Sequence, residues 1–266
     1  MGDYIHGYSP RESERLSDQA EILRDLIHRD IHFPAGSRVL EAGCGTGGQT
    51  RLLLDANPEI RLTCLDIDAG QLEQARTRSA GYPEPIDFRQ GDLLDAPFPP
   101  ASFDHAFVCF LLEHLSRPRE ALASLARLVR PGGTLALIEG DHGSCRFHPE
   151  TPAALAVWEA LVTRQRRLGG DPMIGRRLAG LLRDAGLVQV QVDPRLIYAD
   201  AASPALRAGF VRRIIVPMVE GVRAAALADG MRADDWSQGI ADLLATDTDG
   251  QGVFCYCFFA ARARVP

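Results

Sequence analysis

Residues Val39 to Gly48 read VLEAGCGTGG. An apolar run leads straight into glycines at 43, 45 and 48, spaced G-x-G-x-x-G. This predicts a β-strand that hands the chain to a tight turn and then to a helix N-terminus, bringing backbone N–H groups up to a nucleotide. A carboxylate, Glu41, stands two residues before the first glycine. Beside a pyrophosphate it repels; beside a positively charged ligand it attracts. As an ordinary strand-end residue it does neither.

Outward from this loop, strand and helix signals alternate. Apolar runs predict strands over residues 38–42, 61–67, 86–90, 103–110 and 134–139. Helical periods fall at 49–56, 69–79 and 118–128, and Pro131-Gly132-Gly133 reads as a turn. A β-α-β-α series of this kind predicts a Rossmann-like, doubly wound α/β fold with a mainly parallel sheet. Before it, residues 10–30 carry a helical period opened by Ser9-Pro10. After it, residues 152–168 and 175–185 read as helices and 187–192 as a strand. Residues 203–244 are mostly helical, broken at Pro217 and near Gly230, and GVFCYCFFAAR, residues 252–262, is a final strand. The division expected is a helical lid over residues 1–35 and a main domain over 36–266, with cap segments at about 145–175 and 200–250.

The 266 residues are 46% hydrophobic and 24% charged, the composition of a globular chain. The net charge of -6 offers no whole-molecule attraction for nucleic acid, and Arg164, Arg166 and Arg167 read as a solvated helix face. No apolar run reaches membrane-spanning length and the N-terminus lacks a signal-peptide core, so neither membrane insertion nor secretion is expected. Cysteines 44, 64, 109, 145, 255 and 257 form no C-x-x-C pair. A reduced, cytoplasmic protein is the expectation.

The next strand ends at Asp66, about 20 residues beyond the first glycine, where an acidic side chain meets ribose hydroxyls. Asp68 is the candidate cap of the following helix. In GDLLDAPFP, Asp92 can accept from an adenine amino group and the Leu93 N–H can reach a ring nitrogen; the alternative for Asp92 is a turn residue satisfying its own backbone. Dinucleotides and S-adenosylmethionine share the glycine loop and the ribose carboxylate. The positive charge of the latter favours Glu41.

Taken together, VLEAGCGTG, LDID, GDLLDAPFP, FDHAFVCFLLEHL and LVRPGGTLALIEG closely resemble the class I S-adenosylmethionine-dependent methyltransferases, over about residues 36–140. The resemblance implies seven strands, the last antiparallel and inserted between the fifth and sixth. It implies that Glu41, Gly43 and Gly45 face the methionine part of the cofactor and that Asp66 binds the ribose. Ile67 would pack on the adenine, Asp92 and Leu93 would read its edge, and Cys109 and Phe110 would line the methionyl tail. The stretch YIHGYSPRESERLSDQA and the phrase EGDHGS are similar to a narrower set, bacterial small-molecule methyltransferases that include C-methylating enzymes of prenyl and terpenoid natural products. Relatives of that set imply an N-terminal lid, here with Tyr4, His6, Tyr8 and Ser9 and with Tyr8 against the cofactor. Such a lid can be exchanged between subunits, so a homo-oligomer is an expectation.

Candidate catalytic groups lie at two strand ends: Glu113 and His114 after the fourth, Glu139, Asp141 and His142 after the fifth. For His114 the alternative is a helix-start residue bonded to backbone. Asp141, His142, Cys145 and His148 match no strong metal-ligand spacing, so no metal is expected. Trp158, Met173, Phe210, Ile214, Ile215 and Met218 are candidates for an apolar acceptor wall or for core. The expected activity is methyl transfer to a small, fairly apolar acceptor, carbon methylation of a prenyl or terpenoid substrate first, oxygen or nitrogen methylation of an aromatic metabolite next. The competing classes are a nicotinamide oxidoreductase and a non-catalytic cofactor binder.

Overall fold

The computed structural model describes residues 10–82 and 85–266. Tyr4, His6, Tyr8 and Ser9 lie outside the described residues. Seven strands form one sheet: β1 Arg38–Ala42, β2 Arg61–Asp66, β3 Asp87–Gln90, β4 Phe103–Cys109, β5 Val129–His148, β6 Val188–Ala199 and β7 Val253–Arg264, in the order β3-β2-β1-β4-β5-β7-β6. β1 pairs parallel with β2 and β4, and β7 pairs antiparallel with β5 and β6. The last strand is therefore inserted antiparallel between the fifth and sixth. Val39, Leu40 and Ala42 are all fully buried, because a central parallel strand is covered on both faces.

The helices follow local chemistry. α3, Gly48–Ala56, leaves the glycine turn. α4, Ala69–Arg78, is capped by Asp68, which accepts from Gln71 N at 2.8 Å. α5, Pro118–Leu128, and α6, Pro152–Arg167, each start with proline, whose missing N–H costs nothing there. Ile174–Arg177 forms a single 3-10 turn ahead of α7, Leu178–Asp184. The N-terminal period is split into α1, Pro10–Ile22, and α2, Arg24–His28.

Strand alternation separates two cores. Leu135 and Leu137 of β5 pack with α5 and α7 on one face. Ala136 and Ile138 of β5, with Phe254, Tyr256 and Phe258 of β7, face a helical layer built from α6, α8 Pro204–Ala208, α9 Val216–Glu220, α10 Arg223–Ala228 and α11 Ala233–Thr248. Between α8 and α9, Gly209–Ile215 widens to a π-helix, and Val216 N–H bonds Val211 O. Pro217 follows at once; its ring cannot fit against a normal α-helical turn, and the wider turn accommodates it.

Two expectations need correction. The fifth strand does not stop at residue 139: it runs to His148, paired with β7 from Thr134 to Asp141 and again from Arg146 to His148, with the register shifting between. Its Pro-Gly-Gly stretch belongs to the same strand. The sixth strand also runs past residue 192, to Ala199, because β7 offers it a partner that far.

Two glycines give opposite expectations. An added Cβ at Gly239 of α11 would stand 2.5 Å from Ala153 O of α6, so Gly239→Ala should destabilise by about 1–3 kcal/mol. At Gly180, inside α7, a Cβ meets nothing within 4 Å, so Gly180→Ala should stabilise by about 0.5–1 kcal/mol. Urea denaturation of the two variants checks both signs.

Candidate active site

The glycine turn lies at the carboxyl ends of β1 and β2. Gly43, Gly45 and Gly47 all have positive φ, which a side chain would strain. Gly45 N–H donates to Asp66 Oδ2 at 2.8 Å, and Asp68 N–H to Asp66 Oδ1 at 3.0 Å. Asp66 is thus half-buried at the strand end, tied to the loop it serves. A Cβ on Gly45 would meet only Gln71 Oε1, at 4.0 Å, so this backbone is open to a close-lying ligand. Ile67 is 43% exposed, a large apolar side chain left uncovered beside Asp66. Asp92 is exposed, and one oxygen of its carboxylate, Oδ1, accepts from Leu94 N at 2.9 Å. Leu93 is buried, its carbonyl accepting from Ser124 Oγ at 2.6 Å. An open glycine backbone, a carboxylate at the second strand end and an uncovered apolar ledge fit a nucleoside.

Glu41, expected to face the ligand, is buried in the ligand-free structure. It is 2% exposed, accepts from Thr50 Oγ1 at 2.6 Å and lies 3.4 Å from Cys64 Sγ. Its position on the β1 face that meets α3 turns it inward. Burial pushes its carboxyl up to about 7, against the pull of those two donors. Cys109 is half-buried, its thiol pushed up by desolvation and then by Glu139, Glu41 and Glu113. Three carboxyl groups therefore surround the end of β4.

At that end Phe110 adopts a left-handed φ of 54°, and its N–H bonds Ile138 O at 2.9 Å. The chain then turns so that Leu111, Leu112 and Glu113 aim their N–H groups at the Glu139 carboxylate, at 3.1, 2.7 and 3.4 Å. Burial and the neighbouring Glu113 push Glu139 well above the ordinary carboxyl range. Burial acts on Glu113 as well, but His114, His142, Gln165 and Arg15 around it bring it below that range.

Beyond this turn lies a small pocket walled by Phe110, Phe210, Phe258, Ile214, Ile215 and Met218, with Arg15 and Gln19 of α1 closing it. Glu113, His114, His142 and Tyr256 supply its polar end. His142 Nδ1 lies 2.6 Å from Tyr256 Oη, and its Nε2 lies 3.6 Å from Glu113 Oε2. His114 Nε2 is 3.7 Å from Glu113 Oε1, and Gln165 Nε2 donates to Glu113 Oε2 at 3.2 Å. Burial lowers the His142 pKa, more than Glu113 raises it.

Four candidates are not on this wall. Glu139 and Asp141 alternate onto the opposite face from Gly140 and His142, where Asp141 is held by Arg176 at 2.7 and 2.8 Å. Trp158 stands behind the histidine, its Nε1 donating to His142 O at 3.2 Å. Met173 lies outside, against Arg166. Tyr256, Phe258, Arg15 and Gln19 went unread. The signal for the first two was there: Phe254, Tyr256 and Phe258 recur at period two on one face of β7. Among the described residues no three His, Cys, Asp or Glu side chains gather as metal ligands.

A family model described as a methyltransferase domain matches residues 40–137. The O-methyltransferase cnsE of Penicillium expansum is 32% identical over 205 residues, covering 72% of this chain and 68% of cnsE. The chain belongs to the methyltransferases. Two solved methyltransferases share the fold. Phosphoethanolamine N-methyltransferase 2 of Haemonchus contortus, solved with S-adenosylhomocysteine, superposes with a TM-score of 0.59 at 13% identity, covering 94% of this chain and 57% of that one. A geranyl diphosphate methyltransferase, solved with its diphosphate and sinefungin, gives 0.53 at 18% identity, covering 94% and 78%. With the family goes the cofactor, S-adenosylmethionine.

Two measurements test this methyltransferase's cofactor side. Asp66→Ala should weaken S-adenosylhomocysteine binding by about 1–3 kcal/mol in calorimetry, through loss of charged hydrogen bonds. Glu41, whose folded pKa is raised, contributes stability that is fully present below pH 4.5 and is lost as pH rises to about 7. The loss amounts to about 3 kcal/mol. Thermal unfolding of ligand-free Glu41→Gln should therefore vary less than wild type between pH 5 and 8.

Proposed function

We propose that this methyltransferase moves the methyl group of S-adenosylmethionine to a hydroxyl oxygen on a small, mostly apolar acceptor. The observation that carries the reading is the buried Glu113–His142–Tyr256 cluster at the head of an otherwise apolar pocket. The bound cofactor supplies an already activated methyl on a positively charged sulfur. What the chain must add is alignment, dryness and a place for the acceptor's proton. A neutral, buried histidine beside an ionised glutamate provides that place. The relationship to cnsE, an O-methyltransferase by name, supports oxygen as the acceptor atom.

Asp66, Gly43 and Gly45 are assigned to the methionyl and ribose parts of the cofactor, Ile67, Asp92 and Leu93 to the adenine, and Cys109 and Phe110 to the methionyl tail. α1 is assigned as the lid. It packs on α3 and on the Gly209–Ile215 segment, pairs Asp18 with Arg213, and brings Arg15 and Gln19 onto the pocket. Such a cover excludes water from the transfer.

Carbon methylation is retained as a second reading because of one feature. The rings of Tyr256 and Phe258 lie 4.6 Å apart and those of Phe210 and Phe258 6.5 Å, beside Glu113. Aromatic faces with a carboxylate can hold the cation left when an alkene carbon takes a methyl.

Incubating the protein with metabolite extracts and carbon-13 methyl-labelled cofactor separates the readings. A product methyl with the chemical shift of a methoxy group is expected. A carbon-bound methyl would favour the second reading, and cofactor binding without transfer to any extract would point to a binding module.

A further inference from the structure

Building on the oxygen-methylation reading, we propose that Tyr256 is the catalytic residue that takes the acceptor's proton, and that His142 is a positioning and relay residue behind it. The positions of the hydrogens decide the two roles. The ionised Glu113 carboxylate can only accept, and it lies 3.6 Å from His142 Nε2. A lone pair on Nε2 would face negative charge, so Nε2 carries the ring's proton. A neutral imidazole has only one, so Nδ1 is an acceptor. At 2.6 Å from Nδ1, Tyr256 must then be donating its O–H.

The surroundings agree. The phenol oxygen, donating to Nδ1, keeps its lone pairs for an acceptor hydroxyl, and Tyr256 lies on the pocket wall. Gly140 makes room: a Cβ there would stand 2.6 Å from the phenol oxygen. His142 is held on every side. Its N–H bonds Pro172 O at 2.8 Å, its C=O accepts from Trp158, and the Trp158 ring meets its own at 5.4 Å. The phenol takes Nδ1 and Nε2 faces Glu113, so the acceptor meets the tyrosine first.

The step balances. As the acceptor oxygen bonds the methyl carbon, the methyl–sulfur bond breaks and its electron pair stays on sulfur. The acceptor's proton passes to Tyr256 Oη while the proton Tyr256 held passes to His142 Nδ1. The tyrosine ends as it began. The imidazole now carries the positive charge that sulfur lost, and Glu113 stabilises it. Burial holds the Tyr256 phenol well above its ordinary pKa, which is compatible, because the phenolate never exists alone.

Nitrogen-15 long-range correlation spectra of histidine-labelled protein read the tautomer, with His142 assigned by its missing signals in His142→Gln. A proton on Nε2 is expected, with an Nδ1 resonance that moves in Tyr256→Phe as its hydrogen bond is lost. A proton on Nδ1 would overturn the relay. Tyr256→Phe keeps the ring that packs on Phe258, so its fold and its calorimetric affinity for S-adenosylhomocysteine should persist, while methyl transfer slows about 10²–10⁴-fold. Undiminished transfer would also overturn it. A wild-type product methylated only on carbon would refute the oxygen reading instead, and the histidine spectrum would still decide the direction of the hydrogen bond.

Discussion

Leu111, Leu112 and Glu113 all direct their backbone N–H groups at one buried carboxylate, Glu139. This clamp fixes the path of the chain after β4, and both halves of the site hang from that path. On one side it sets Leu111 over the glycine turn, so close that a Cβ on Gly43 would stand 2.7 Å from Leu111 Cδ1. On the other it presents Glu113 to His142 and His114. Glu139 touches neither proposed ligand, yet the cofactor loop and the acceptor pocket are held in register through it. The left-handed Phe110 just before the clamp is the conformational cost of making that turn in so short a space.

The central half of the fold was legible because its signals are local. The alternation of strands and helices from 38 to 128, the proline starts of α5 and α6, and the Asp68 cap all rest on chemistry within a few residues. The lengths of β5 and β6 were not legible, since a strand continues only as far as a distant partner accompanies it, and β7 is more than a hundred residues from β5. The same limit governed the site. Glu139, Asp141 and His142 look equivalent at a strand end, but strand alternation gives only His142 to the pocket. Glu41 looked like a ligand contact from its spacing; the packing of Thr50 and Cys64 against it turned it into a buried group. Tyr256 could have been read from the period-two pattern of β7, but nothing local tied it to a histidine 114 residues away.

More than one residue favours a positively charged ligand over a pyrophosphate at the glycine loop. Glu41, Glu139 and Glu113 all press on the Cys109 thiol at the end of β4, and Asp66 stands at the neighbouring strand end. Burial pushes Glu41 and Glu139 toward their neutral forms, because carboxylates crowded in a poorly solvated place are costly without a counter-charge. A phosphate would add to the cost; a sulfonium and an ammonium relieve it.

The same asymmetry bears on the chemistry after transfer. Methyl transfer discharges the sulfonium, so a site tuned to a cation would be left with excess negative charge at the moment of product formation. Passing the acceptor's proton to His142 keeps a positive charge within reach of Glu113, and the local charge balance changes little between substrate and product states. Burial makes His142 reluctant to hold that proton for long. A relay that accepts charge during the transfer and gives it up when the pocket opens to water is suited to turning over, and the lid assignment of α1 supplies the opening.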